Sequence, residues 1–228
     1  MKRLLLPAAL LLSAATAQAG ELRHPERVVE LFTSQGCSSC PPANRFVARL
    51  AEDDAGALAL SYGVTYWDYL GWKDTFGDPA FTERQRGYRD ALDARMYTPQ
   101  IVVNGTDHAP RWKRRTLAAH SLGDGAILAT EGAGGFGDGG PQLTVTGGIA
   151  PGAVLAVVRY RPGTQDVAVR RGENGGRTLS LANVVTGIDM LEWTGEPVSL
   201  RPGTGEAVAL LVHDPETAAI VAALDYTP

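Results

Sequence analysis

The sequence contains two cysteines, Cys37 and Cys40, and they are the residues best suited to do chemistry. They enclose Ser38 and Ser39 in a Cys-x-x-Cys motif. A thiolate at the first position can attack a disulfide, and the second thiol can then attack the same sulfur and release the product. The spacing therefore predicts a redox-active dithiol, in which Cys37 attacks and Cys40 resolves the mixed disulfide.

The local sequence places this motif between a strand and a helix. Val28–Thr33 is a short run of β-forming residues, and Pro41–Asp53 opens with two prolines, which suit the first turn of a helix because no N–H is needed there. We therefore expect Cys37 to be exposed before the helix and Cys40 to lie within its first turn. The helix dipole and N–H groups would then lower the pKa of Cys37.

The region up to residue 122 alternates strands with helices. The pattern predicts a strand over 57–66, a helix over 79–96, a strand over 100–103 and a helix over 112–122. Asp78 followed by Pro79 indicates a capped helix start, and Asn104 followed by Gly105 indicates a hairpin. This order predicts an α/β domain over residues 20–122, with a mostly parallel sheet and flanking helices.

The second half of the chain differs in glycine content and in the length of its predicted elements. Residues 123–140 are rich in glycine and indicate a linker or an irregular crossover. Residues 141–228 contain short strand-like runs separated by Gly, Pro and Asn turns. Such evenly spaced strands predict a C-terminal antiparallel, β-sandwich-like domain.

The N-terminus has the pattern of a signal peptide. Lys2 and Arg3 precede a short apolar run, and Ala17-Gln18-Ala19 is a small-x-small cleavage pattern. We expect residues 1–19 to be removed after Ala19, giving a periplasmic or secreted protein without a transmembrane segment. Such a compartment is oxidising and permits disulfides.

Composition excludes several classes of function. The formal net charge is −4, and loss of the leader would also remove the positive charges of Lys2 and Arg3. A negative net charge disfavours nucleic acid as a partner. Two cysteines exclude a disulfide-rich scaffold and a four-cysteine metal site. The four histidines are scattered without metal-ligand spacing, so the sequence predicts neither a cofactor nor a histidine-based metal site.

A strand, a Cys-x-x-Cys motif and a helix in this order, followed later by Thr98-Pro99, resemble the thioredoxin and glutaredoxin superfamily. The longer stretches 32–42, 66–72 and 98–100 resemble a secreted bacterial family catalogued as domain of unknown function 1223. That resemblance covers nearly the whole mature chain and implies a thioredoxin-like fold with an appended β domain, but no known substrate. The motif has Ser-Ser where thioredoxin has Gly-Pro, which leaves the redox potential open.

The superfamily resemblance also implies roles for three further residues. Pro99 occupies the place of a cis-proline that faces the dithiol, where the backbone of Thr98 could pair with an extended substrate. Glu30 lies near the position of a buried carboxylate in thioredoxins. It is expected to be either a proton acceptor for Cys40, with a pKa raised by burial, or an edge-strand glutamate that faces water.

An aromatic cluster follows the second predicted strand. Trp67, Tyr69 and Trp72, with Asp68 among them, should lie on the Cys37 side, because the carboxyl ends of parallel strands collect functional loops. The three aromatic residues could form a substrate groove. They could equally fill the core, with Asp68 capping a turn.

Three functions are compatible with these residues. The first is an exported oxidoreductase acting on protein or small-molecule disulfides, whose redox partner the sequence does not identify. The second is a Cu(I)-binding or delivery protein that uses the same two thiolates. The third is a non-catalytic thioredoxin-like interaction module in which the disulfide is inert.

Overall fold

A computed structural model describes residues 20–122, 127–132, 142–147, 152–200, 203 and 205–228. The predicted signal peptide and its cleavage site lie outside these residues. In chain order the elements are β1 (Glu21–Arg23), β2 (Arg27–Thr33), α1 (Pro41–Asp53), β3 (Ala57–Gly63), α2 (Pro79–Ala91), β4 (Gln100–Val103), β5 (Asp107–Ala109), α3 (Arg114–Leu117), β6 (Ile127–Gly132), β7 (Gln142–Gly147), β8 (Val154–Ala168), β9 (Thr178–Glu192), β10 (Val198–Leu200), β11 (Ala207–His213) and β12 (Ile220–Thr227).

One mixed sheet of nine strands joins both halves of the chain, in the order β1-β12-β11-β8-β9-β3-β2-β4-β5. Parallel pairing occurs between β2 and β3 and at the single residue pair Ser61–Val184 between β3 and β9. The other described pairs of this sheet are antiparallel, including β2 with β4. The fold is therefore mixed α/β, and the prediction of a mostly parallel sheet is wrong, because β4 returns antiparallel beside β2 after α2.

The C-terminal strands are antiparallel, as predicted, but they do not form a separate sandwich. The strands β8, β9, β11 and β12 extend the large sheet beyond β3. A second sheet of three strands, β10-β7-β6, packs against them through Ile127 and Val145. Within the predicted linker, 127–132 is β6, so this part is a strand.

The alternation of side chains along β2 gives each helix its own face of the sheet. Leu31 belongs to the core that includes Val47 of α1. Phe32 points the other way and packs edge-on against Tyr88 of α2, with ring centroids 5.9 Å apart. The helices α1 and α2 thus cover opposite faces of β2.

Local sequence signals set several element boundaries correctly. The helix α2 begins at Pro79, and the Asp78 carboxylate caps it by accepting a hydrogen bond of 2.8 Å from the Ala80 N–H. Asn104 and Gly105 both have positive φ, as a tight hairpin between β4 and β5 requires. Other boundaries were predicted too long, since α2 ends at Ala91 and the helix expected over 112–122 is limited to α3. No helix within the described ranges is long and apolar enough to cross a membrane.

Candidate redox site

The Cys-x-x-Cys motif forms the turn that leads from β2 into α1. Cys37 and Cys40 are joined by a disulfide, with Cα atoms 5.5 Å apart. The Cys37 N–H donates to the Ser34 carbonyl at 3.1 Å, which closes the turn after the strand. Cys37 is only 4% exposed and Cys40 is fully buried. The prediction of an exposed Cys37 is therefore wrong, because the turn buries both sulfurs, although Cys37 is the more accessible of the two.

The start of α1 differs from the prediction in one respect. Cys40 is the N-cap residue, and the helix begins at Pro41. Because Pro41 and Pro42 have no N–H, the first amides available are those of Ala43 and Asn44, and both donate to the Cys40 carbonyl, at 3.0 and 3.1 Å. The N–H groups of the first turn therefore serve the N-cap carbonyl and leave stabilisation of a Cys37 thiolate to other donors.

The Ser39 hydroxyl is such a donor. Its Oγ lies 3.3 Å from the Cys37 Sγ and 3.3 Å from the Thr98 carbonyl oxygen, to which it donates. One hydroxyl proton therefore faces two acceptors. When the disulfide is reduced, a thiolate at Cys37 becomes the stronger acceptor, because hydrogen bonds to a charged group are stronger than neutral ones.

The predicted Thr98-Pro99 segment lies beside this turn. Its peptide bond is cis, which confirms that expectation. A cleft of about 480 Å³ extends from Ser39 past this bond. It is lined mainly by apolar side chains, namely Pro42, Ala43, Phe46, Pro99, Ile101, Pro110 and Trp112, with Thr98 and Arg111.

The predicted aromatic cluster does lie on the Cys37 side. The Trp67 indole N–H donates to the Thr98 Oγ1 at 2.7 Å, and the Trp72 indole N–H donates to the Gln35 Oε1 at 2.8 Å. Tyr69 stacks on Trp67 with ring centroids 6.1 Å apart and is 76% exposed. Trp67 and Trp72 thus fix the two segments around the disulfide, and Tyr69 remains available for contact with another molecule.

Asp74 also supports the turn, and sequence patterns did not indicate it. Its carboxylate accepts hydrogen bonds from the N–H groups of Gln35, at 2.7 Å, and Phe76, at 2.9 Å. Burial raises the pKa of Asp74 to about 6, although the two backbone donors oppose the shift and neighbouring Asp68 adds to it. Asp68 itself accepts a hydrogen bond from the Asp74 N–H at 3.0 Å, so it orders the loop, as its predicted capping role suggested.

The loop between β8 and β9 reaches the same turn from the other half of the chain. The Asn174 side-chain amide is fully buried and donates to the carbonyl oxygens of Gln35, at 3.0 Å, and Cys37, at 2.8 Å. Glu173 accepts a hydrogen bond of 3.0 Å from the Ser38 N–H, and the Ser38 hydroxyl together with this N–H lowers the pKa of this exposed carboxyl. The sequence indicated only a turn at Asn174, because nothing in its spacing shows which distant segment the loop contacts.

Glu30 does not belong to the dithiol site. It projects from β2 toward the α2 face, while α1 packs on the opposite face. Its carboxylate is buried and binds the Arg84 guanidinium, with Nε–Oε1 at 2.6 Å, and it accepts a short hydrogen bond from the Tyr88 hydroxyl. Burial would raise the pKa of Glu30, but Arg84 and Tyr88 outweigh burial and hold it below its usual range. Neither expected role, proton acceptor for Cys40 or water-facing edge glutamate, fits this position.

Comparison with known proteins places the chain in a family. A family model described as protein of unknown function (DUF1223) matches residues 28–221. The chain belongs to this family. The X-ray crystal structure of protein AGR_C_4864 from Agrobacterium tumefaciens is similar to this DUF1223 chain, with 29% sequence identity, a TM-score of 0.68, and coverage of 90% of this chain and 95% of that chain. No curated protein matches the chain.

The DUF1223 chain offers two thiol ligands to a metal at this site. Within the described residues, no group of three or more His, Cys, Asp or Glu side chains is placed to hold a metal ion. Among these residue types, a soft ion such as Cu(I) would find two ligands at this site, the thiolates of Cys37 and Cys40. Thiol–disulfide exchange needs only these two sulfurs and access to one of them.

Proposed function

We propose that this DUF1223 protein is an exported thiol–disulfide oxidoreductase that acts through Cys37 and Cys40. The observation that carries the proposal is the position of the disulfide, at a strand-to-helix turn beside Thr98-Pro99 and next to an apolar cleft. The neighbouring strand order β3-β2-β4-β5, with α1 following β2, supports a thioredoxin-like interpretation of this half of the sheet.

In the reducing direction, the Cys37 thiolate attacks one sulfur of a substrate disulfide. A bond forms between Cys37 and that sulfur, and the other substrate sulfur leaves as a thiolate. Cys40 then loses its proton, attacks the Cys37 sulfur and expels the remaining substrate thiolate. The substrate gains two electrons, the protein dithiol becomes a disulfide, and the reverse sequence oxidises a substrate dithiol.

The burial of the two cysteines supports this division of roles. Cys37 retains 4% exposure, while Cys40 has none, so a substrate sulfur can approach Cys37 first. The Ser39 hydroxyl lies within 3.3 Å of the Cys37 sulfur and can stabilise it as a thiolate. Resolution by Cys40 stays within the turn and needs no second approach from solvent.

The surroundings of the turn support a protein or small-molecule disulfide as the substrate. An apolar group next to the substrate sulfur could occupy the cleft lined by Phe46, Pro99 and Trp112. Tyr69, exposed on the other side of Trp67, could contact the same substrate. We place this activity in the periplasm or outside the cell because of the signal-peptide pattern at Lys2–Ala19.

Trapping of mixed disulfides tests the proposal. Exported Cys40→Ser should accumulate covalent adducts that a reductant releases, because Cys37 still attacks but the adduct is not resolved. Cys37→Ser should accumulate none, and the double variant is the control for background. Adducts with Cys37→Ser alone would reverse the two roles.

Two other outcomes would replace the proposed function. If neither variant traps a partner and the reduced protein binds Cu(I) tightly, the thiolates form a copper site. If neither variant traps a partner, Cu(I) does not bind and Cys37 resists alkylation after reduction, the protein is a non-catalytic module.

A further inference from the structure

A second cleft, of about 670 Å³, lies on the α2 face of the sheet, away from the α1 face. One wall is α2, a second is formed by Val154, Ile188 and Met190, and a third is the turn between β11 and β12. Pockets of this volume hold small organic molecules in many proteins. The proposed redox chemistry does not use this cleft.

A glycine keeps the α2 wall open. Gly87 lies inside α2 and lines the cleft, and a Cβ at this position would meet nothing within 4 Å. Its φ is not in the left-handed region, so the backbone does not require glycine here. Apart from proline, glycine is the least favourable residue in a helix interior. Its presence therefore leaves space in the cleft at the expense of helix stability.

The floor of the cleft carries a buried hydrogen-bond donor. The Arg84 side chain is 6% exposed, and its Nε and Nη2 bind the Glu30 carboxylate at 2.6 and 3.0 Å. Nη2 also lies 3.0 Å from the Tyr88 hydroxyl and 3.2 Å from the His213 Nε2, so its two N–H groups are shared among three acceptors. Within the described part of the chain, the one hydrogen-bond partner of Nη1 is the Met190 sulfur, at 4.0 Å, which is a weak acceptor. Nη1 is therefore free to donate to a ligand in the cleft.

The charges around the cleft disfavour an anionic ligand. Glu30 neutralises Arg84, and burial together with Arg84 lowers the pKa of His213 to about 4, so this imidazole is neutral near pH 7. The rim carries the carboxylates of Glu83, Asp214 and Glu216. An added negative charge would meet these three carboxylates without an unpaired cation inside the cleft.

We propose that this cleft binds an uncharged, largely apolar molecule with a carbonyl oxygen. The carbonyl would accept a hydrogen bond from the Arg84 Nη1, and the apolar body would lie between Gly87 of α2 and the side chains of Ile188 and Met190. This site is separate from the dithiol, so its test does not depend on the proposed redox function.

Fluorescence titration of the mature protein tests the site. The probe is Prodan, an uncharged naphthalene ketone, and its anionic counterpart is anilinonaphthalene sulfonate. We expect saturable Prodan binding. The sulfonate should bind about tenfold more weakly, because its negative charge would meet the carboxylates on the rim of the cleft. Absence of saturable Prodan binding, or equal binding of both probes, would overturn the proposal.

Two variants locate the bound probe. Gly87→Leu should weaken Prodan binding by about tenfold or more by filling the cleft, and it should preserve or raise the unfolding temperature because leucine favours the helix. Asp90→Leu adds the same side chain to α2 at an exposed position outside the cleft and should leave binding unchanged. Equal binding by both variants would place the probe elsewhere and overturn the proposal.

A matched pair of competitors tests the carbonyl. We expect 2-acetylnaphthalene to displace Prodan about fivefold more effectively than 2-ethylnaphthalene, since the two differ by one hydrogen-bond acceptor. Equal displacement by the two compounds would show that Arg84 Nη1 does not donate a hydrogen bond to the bound molecule.

Discussion

The Asn174 side chain donates a hydrogen bond of 2.8 Å to the carbonyl oxygen of Cys37, from a position 137 residues further along the chain. The second Asn174 N–H donates to the Gln35 carbonyl at 3.0 Å, and Arg177 donates to the Asn174 Oδ1 at 3.0 Å. The shape of the dithiol turn therefore depends on the loop between β8 and β9. This contact gives the C-terminal half of the chain a structural part in the candidate redox site.

Replacing Asn174 with alanine should destabilise the protein by about 1–3 kcal/mol, because the Gln35 carbonyl loses the Asn174 donor and the Cys37 carbonyl keeps only the Cys40 N–H, at 3.2 Å. Urea unfolding of the oxidised protein measures the change in the free energy of unfolding. Ser180→Ala is the matched control on the same hairpin, since its hydrogen bond to Asp166 is exposed, and we expect a change below about 0.5 kcal/mol. A similar change in both variants would show that the Asn174 contact contributes little.

Sequence patterns predicted the elements around the motif because local chemistry determines them. The prolines at the start of α1, Asp78 before α2, and Asn104-Gly105 between β4 and β5 each act within a few residues. The same patterns did not predict the sheet, because strand pairing is a long-range property. Pro162 and Gly163 are among the Gly, Pro and Asn positions at which the sequence predicts turns between the C-terminal strands, yet β8 continues through them with a shift in register.

The site was predictable where the family motif includes its residues. Cys37, Cys40, Thr98 and Pro99 lie together as the resemblance implied. Neither role predicted for Glu30 included its ion pair, because its partner, Arg84, lies 54 residues away on α2. Likewise, Asp74 and Asn174 act through backbone groups of the turn, which are invisible in a sequence pattern.

Glu173 should restrain the reactivity of Cys37. Its carboxylate occupies the Ser38 N–H and places a negative charge beside the turn, so a Cys37 thiolate has one donor fewer and one like charge nearby. In Glu173→Gln, alkylation of reduced Cys37 at pH 6 should be faster than in the wild type. The difference should shrink at high salt, because Glu173 is exposed and its charge is screened.

The matched control for Glu173 is Glu216→Gln, an exposed glutamate on the rim of the α2 cleft. This variant removes the same charge and should not change the alkylation rate. Slower alkylation in Glu173→Gln than in the wild type would contradict the proposed restraint.

Ser39 should promote the same reaction. Its hydroxyl can donate to the Cys37 thiolate, and Ser39→Ala removes that donor, so alkylation of reduced Cys37 at pH 6 should slow by about 2–10-fold. Ser180→Ala is the control, because the hydroxyl of this serine on the β8–β9 hairpin bonds the exposed Asp166 and not the turn. Equal rates in the two variants would exclude a role for the Ser39 hydroxyl.

Asp74 and His213 should give the stability of the protein opposite dependences on pH. The pKa of Asp74 is raised to about 6 by burial, so the folded state binds more protons than the unfolded state between about pH 4 and 6, and stability falls as pH rises. The pKa of His213 is lowered to about 4 by burial and by Arg84. Here the unfolded state binds more protons between about pH 4 and 6.5, and stability rises with pH.

Each pKa is displaced by about two from its ordinary value, so each contribution across its window is on the order of 3 kcal/mol, and the two have opposite signs in the wild type. Urea unfolding at several pH values between 4 and 7 should separate them. Relative to Asp74→Asn, the wild type should lose stability as pH rises, and relative to His213→Gln it should gain stability. Parallel pH profiles for the wild type and Asp74→Asn would show that the pKa of Asp74 is not raised by folding. Parallel profiles for the wild type and His213→Gln would show that the pKa of His213 is not lowered by folding.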